Sequence, residues 1–129
     1  MKLSIEKHQA ADGPVEVVKV DGYLDAHTFP DLEKALHELI KEGQHRIVLD
    51  FETLDYISSA GLGLLLGVHR LTSEQMGGLK IINMQEAVHR VFDVLSFSRT
   101  IEICPSREAA FAAFQRESSG LTSGDAIQT

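Results

Sequence analysis

Two short apolar runs, separated by the length of one helix, limit this fold more than any other feature of the chain. Arg46–Phe51 (RIVLDF) and Gly78–Asn83 (GLKIIN) are nearly continuous apolar stretches, the pattern of strands covered on both faces. The segment between them, roughly Ser59 to Met76, has helical length and is apolar almost all round in its first two turns, which places its beginning deep against the sheet. Strand, helix and strand in that order pair the strands parallel through a right-handed crossover. Gly61, Gly63 and Gly67 are expected to let the helix backbone approach the strands closely.

The flanking segments extend the same architecture. LSIEKH and VEVVKVDGYL alternate or run apolar, and AADGP between them carries the residues of a tight reversal, so an antiparallel pair precedes the crossover unit. Phe29, Leu32, Leu36, Leu39 and Ile40 recur at helical spacing. Thr28 with Asp31 reads as a variant capping box, Pro30 is tolerated in the first turn, and Gly43 ends the helix. A third helix carries Val88, Val91, Phe92 and Leu95 on one stripe. A strand, TIEIC, follows, and then a last helix capped near Ser106 that buries Ala110, Ala113 and Phe114. The order predicts one α/β sandwich with a mixed, mostly parallel sheet and four helices. Residues 1–116 are assigned to the domain, and 117–129, small and polar, to a flexible tail.

Composition restricts the partners. A chain of 129 residues with 43% hydrophobic and 24% charged residues is one ordinary globular domain. The longest run without a polar side chain, Ala60 to Val68, is far short of a bilayer crossing. MKLSIEKHQ has no apolar signal core, so a cytoplasmic protein is expected. A formal charge of −7 without a Lys/Arg cluster opposes nucleic acid and favours a protein partner. The single cysteine, Cys104, reads as a small buried hydrophobe.

In sheets of this class, sites gather at the carboxyl ends of the parallel strands. DFETLDYISSAG is such a loop, and it puts Ser58 or Ser59 at the cap or first turn of the second helix. A helix start needs a hydroxyl for capping alone; it also tolerates an added anion. DGYLDAHT forms a second loop of this kind, placing Asp25 and Thr28 before the first helix. Asp50, Glu52 and Asp55 read as solvated loop acids rather than a magnesium site, and six scattered histidines lack zinc-site spacing. No metal and no cofactor are expected. GLGLLLG lacks the Gly-Lys-Ser/Thr of a phosphate loop, and YISSAG is no nucleophile elbow, so an enzyme is not expected. A receiver domain would place its acceptor at Asp50, but neither DGYLDA nor ICPSRE supplies the accompanying acid pair and lysine well.

GYLDAHT, RIVLDFETLDYISSAGLGLLL, GLKIIN and AVHRVFDVLSFSRTIEI together resemble the STAS domain in its bacterial anti-sigma-factor-antagonist form, over Leu3 to Phe114. The family motif usually reads Asp-Ser-Ser/Thr-Gly-Leu, and the first Ser after the Asp is phosphorylated by the anti-sigma factor, itself a serine kinase of the histidine-kinase-like ATPase type. Counting back from Gly61 and Leu62, the resemblance puts the phosphoacceptor at Ser59 and Ala60 at the Ser/Thr position. Ser58 replaces the Asp and is the alternative acceptor. The resemblance further implies a partner surface of Asp25, Thr28, Asp55, Ser58, Ser59, Ala60, Gly61 and Leu62. It implies partner switching, in which the unphosphorylated form holds the anti-sigma factor, phosphorylation releases it and a serine phosphatase resets the protein. The alternative within the family is a phosphorylation-independent interaction subunit of a signalling scaffold or a transport ATPase complex.

Overall fold

The computed structural model of the protein describes residues 1–118. Strands β1 (Lys2–Ala10) and β2 (Gly13–Leu24) form the expected antiparallel hairpin across Ala11 and Asp12. Gly13 closes the turn at φ 135°, which a side chain would resist. Asp12 is held there by the Arg46 guanidinium, which donates to its carboxylate at 2.9 Å and to its carbonyl at 2.8 Å.

Parallel pairing begins with β3 (Arg46–Asp50), which lies beside β2, and β5 (Gly78–Ile82) lies beside β3. Strand β6 (Glu102–Cys104) completes the order β1-β2-β3-β5-β6. A further strand, β4 (Leu54–Ile57), falls where the sequence reads as a loop. It forms because β2 outruns β3. Beyond Lys19, the last β2 residue paired with Asp50, residues Gly22–Leu24 have backbone groups left to satisfy, and β4 takes them in parallel register after a bulge at Gly22.

Helices α1 (Phe29–Lys41), α2 (Ser59–Glu74) and α3 (Glu86–Val94) cover one face, where Leu32, Leu36, Leu65, Val68, Val88 and Phe92 share a core with Val18, Leu49 and Ile81. Helix α4 (Arg107–Ser118) covers the other, packing Ala110 and Phe114 on Val15, Val17, Val48 and Cys104. Ser106 Oγ accepts from the Ala109 N–H at 3.1 Å, the expected cap. Burial pushes the Cys104 thiol above its ordinary pKa, consistent with an inert packing role.

Several local expectations are corrected. Thr28 precedes α1 but makes no side-chain cap, because its hydroxyl is turned back into the preceding turn; the capping box with Asp31 does not form. Leu95 is 48% exposed: α3 ends at Val94, and Ser96 at φ 61° turns the chain into one 3₁₀ turn, Phe97–Arg99, so Phe97 packs against Phe92 instead. Helix α4 runs past 116, and Glu117 reaches Lys80 at 2.8 Å. The remainder of the expected tail, 119–129, lies outside the described residues. Lys80 itself is buried within β5, where Glu102 at 2.9 Å, Glu117 and the Phe114 ring, 4.6 Å away, compensate its charge.

Candidate functional site

Because β2, β3, β4, β5 and β6 are mutually parallel, their carboxyl ends meet at one edge of the sheet. The last ladder step there pairs Leu24 with Ile57. The Ser58 N–H then donates to the Leu24 carbonyl at 2.8 Å, which locks the start of α2 against the end of β2. Gly61 makes that approach possible: a Cβ on it would lie 2.9 Å from Leu24 Cγ and 3.1 Å from an Ile57 side-chain carbon. Gly63 and Gly67 play no such part, since a Cβ on either meets nothing within 4 Å. The expected close approach of the helix to the sheet rests on Gly61 alone among the three.

The two serines divide the labour of the helix start. Ser58 is the N-cap, extended at φ −91° and ψ 170°, and its Oγ accepts from the Gly61 N–H at 3.2 Å. Ser59 is the first residue of α2 and is exposed, followed by the exposed Ala60. With the cap already made, the Ser59 hydroxyl stands free of that duty. Gly61 and Leu62 turn inward, and Leu62, 3% exposed, packs in the core. The helical repeat that exposes Ser59 and Ala60 carries position 62 onto the core stripe with Leu65.

Asp25 and Thr28 form the adjoining loop as an interlocked turn. Asp25 Oδ1 accepts from the backbone N–H of His27 at 2.9 Å and of Thr28 at 3.1 Å. The Thr28 hydroxyl donates to the Tyr23 carbonyl at 2.7 Å and accepts from the Asp25 N–H at 2.9 Å. The His27 N–H is the chief cause that holds the Asp25 carboxyl below its ordinary pKa. Asp55 faces elsewhere: its Oδ1 accepts from Gln85 Nε2 at 3.1 Å, tying β4 to the start of α3. Asp50, the position a receiver acceptor would take, is buried and accepts from the Glu52 N–H and Asn83 Nδ2 at 3.0 and 3.2 Å, organising the same rim.

The STAS domain family profile matches residues 5–110. The chain belongs to the STAS domain family. A Bordetella bronchiseptica relative, BtrV, assigned to the anti-sigma factor antagonists, is 35% identical over 115 residues, covering 89% of this chain and 96% of that protein. A solved Thermotoga maritima structure of the same assignment matches at TM-score 0.77 and 19% identity, over 87% of this chain and 95% of that one. The Bacillus cell fate determinant SpoIIAA in its phosphorylated form matches at TM-score 0.65 and 22% identity, over 87% and 99%. The last two likenesses are likenesses of fold. STAS proteins of the antagonist type are regulators and not enzymes.

This STAS domain also carries residues at its rim that the sequence reading passed over. Tyr23 and Tyr56 are direct cross-strand partners at the ends of β2 and β4, and they are 58% and 51% exposed. Each stands one residue before a fully inward side chain, Leu24 or Ile57. The matching GYL and DYI triplets, each just before a helix-entry loop, are the signal that could have found them. Among the described residues no group of three His, Cys, Asp or Glu side chains is placed to hold a metal ion, and no helix is long and apolar enough to cross a membrane.

Proposed function

We propose that this STAS protein is an anti-sigma-factor antagonist whose unmodified form binds an anti-sigma factor with serine-kinase activity, and that phosphorylation of Ser59 releases it. The division of roles between the two serines supports this reading most: Ser58 carries the cap, and Ser59 presents an exposed hydroxyl beside it. A phosphate on Ser59 adds about −1.5 to −2 charges next to the N-terminus of α2, where the helix dipole tolerates it, so the domain stays folded while its surface changes. A partner packed against a small neutral hydroxyl would then have to desolvate a dianion. Tyr23 and Tyr56 supply the broad, stiff area that interface anchors use. A serine phosphatase completes the cycle.

Binding of the wild type, Ser59→Ala and Ser59→Asp to the anti-sigma factor tests the switch. Ser59→Ala should bind like the unmodified protein, and Ser59→Asp should bind at least about tenfold more weakly, a difference of about 1.4 kcal/mol. Tyr56→Ala should cost about 1–2 kcal/mol of the same affinity. Equal affinity of all three Ser59 forms overturns the switch. Mass spectrometry after incubation with ATP and the kinase should locate the phosphate on Ser59; a phosphate on Ser58 would move the switch one residue. Failure of the kinase to modify either serine, together with Ser59→Asp binding as tightly as the wild type, would support the phosphorylation-independent subunit that Ser58, in place of the family Asp, also favours.

A further inference from the structure

On the flank of α1 turned away from α2 lies a groove of about 420 Å³ between that helix and the β1–β2 hairpin. Glu16 of β2 forms part of its lining, although its side chain is only 4% exposed. Its Oε2 is fully buried and accepts no hydrogen bond. The nearest cation is Lys7, its register partner on β1, whose Nζ stands 3.9 Å away on a side chain 58% exposed. A buried carboxylate held only by one loose, solvent-facing lysine is costly, because desolvation is not repaid without close hydrogen-bonding partners.

The rest of the lining explains what would satisfy it. Asp31 and Glu38 of α1, with Glu42 at its C-cap, add three carboxylates against a single lysine, Lys34. Ile5 and Leu39 provide apolar wall, and Ile5 is 47% exposed. These acids are spread along the groove and do not form a metal-binding cluster among the described residues. An extended organic cation therefore fits better than a bare ion. A guanidinium donates from a planar, weakly hydrated fork and sheds water more readily than an ammonium.

We propose that this groove is a recognition site for a guanidinium group on an aliphatic stem, with Glu16 as its counter-charge, the outer acids as an attracting rim and Ile5 with Leu39 as the bed for the stem. The guanidinium can belong to an arginine of a protein partner or to a free small cation, and the chemistry is the same. The site is separate from the Ser59 switch and does not depend on it.

The test is titration of the ¹⁵N-labelled protein with agmatine, with the peptide acetyl-Gly-Arg-Gly-amide, and with butylamine as an ammonium control. Saturable shifts should appear at the amides of Ile5, Glu16 and Leu39 with the two guanidinium probes, and Glu16→Gln should weaken them at least about tenfold. Glu38→Gln, at the rim, should weaken them less and guards against a folding defect in the first variant. A tighter response to the peptide assigns the site to a protein-borne arginine, and a tighter response to agmatine to a free cation. Absence of saturable shifts in the wild type, an unchanged response in Glu16→Gln, or an equal response to butylamine overturns the proposal.

Discussion

Neighbouring serines with one side chain between them in chemistry have opposite structural roles here, and the difference is measurable. Ser58 Oγ accepts from the Gly61 N–H, one of the donors that a helix start leaves without a partner. Ser58→Ala should therefore lower the unfolding free energy by about 1 kcal/mol, whereas Ser59→Ala, removing an exposed hydroxyl without cap duty, should leave it within about 0.5 kcal/mol. Urea denaturation of the two variants checks this, and a reversed order would mean that the cap belongs to Ser59. The motif made both serines candidates for cap and acceptor. The choice between them depends on how Ser58 N–H is caught by the Leu24 carbonyl, a contact across 34 residues of chain.

At the level of the element, α2 shows how three similar glycines differ. Glycine in a helix interior costs about 0.5–1 kcal/mol relative to alanine. Gly61 offsets that cost by admitting Leu24 and Ile57, and Gly61→Ala should destabilise by more than the propensity it gains. Gly63 and Gly67 have open space where a Cβ would stand, so Gly63→Ala and Gly67→Ala should each raise stability by about 0.5–1 kcal/mol, seen as a higher Tm. The far end of the same helix is closed by a C-terminal motif in which the Gly77 N–H donates to the Thr72 carbonyl and Met76, at φ 66°, occupies the left-handed position. Glycine falls instead on position 77, because a Cβ there would lie 1.9 Å from the His45 carbonyl oxygen. Helix α1 ends more conventionally, with Gly43 at φ 87° in the left-handed position, as the sequence led one to expect.

For the whole molecule, the joint between α2 and β5 carries a pH dependence. His69 Nδ1 accepts from the Leu79 N–H at 3.2 Å, and its ring stands near Ser73 Oγ at 3.4 Å. Burial first, and the Lys80 charge second, push the His69 pKa below its ordinary value, against a smaller opposing pull from Glu117. The folded protein thus refuses a proton that the unfolded chain accepts, so the stability this group contributes is present above about pH 6.5 and is lost as the pH falls from there through the depressed folded value. The drop in Tm between pH 7.5 and pH 5.5 should be smaller for His69→Asn than for the wild type; an equal drop would remove His69 as the cause. The α/β class, the hairpin, the parallel crossover, the Ser106 cap and the strand-to-helix junction were all legible in the residues, because periodicity, turn chemistry and capping act over a few positions. Strand β4 was not, since LDYI has too little apolar pattern of its own and pairs only because β2 extends past β3. Nor were the inward turn of Leu62, the exposure of Leu95, the paired tyrosines or the burial of Glu16 under α1, for each depends on which distant segment lies alongside. Local sequence determined what each segment becomes; only the packing of segments decided which side chains it left facing the solvent, and those are the side chains a partner meets.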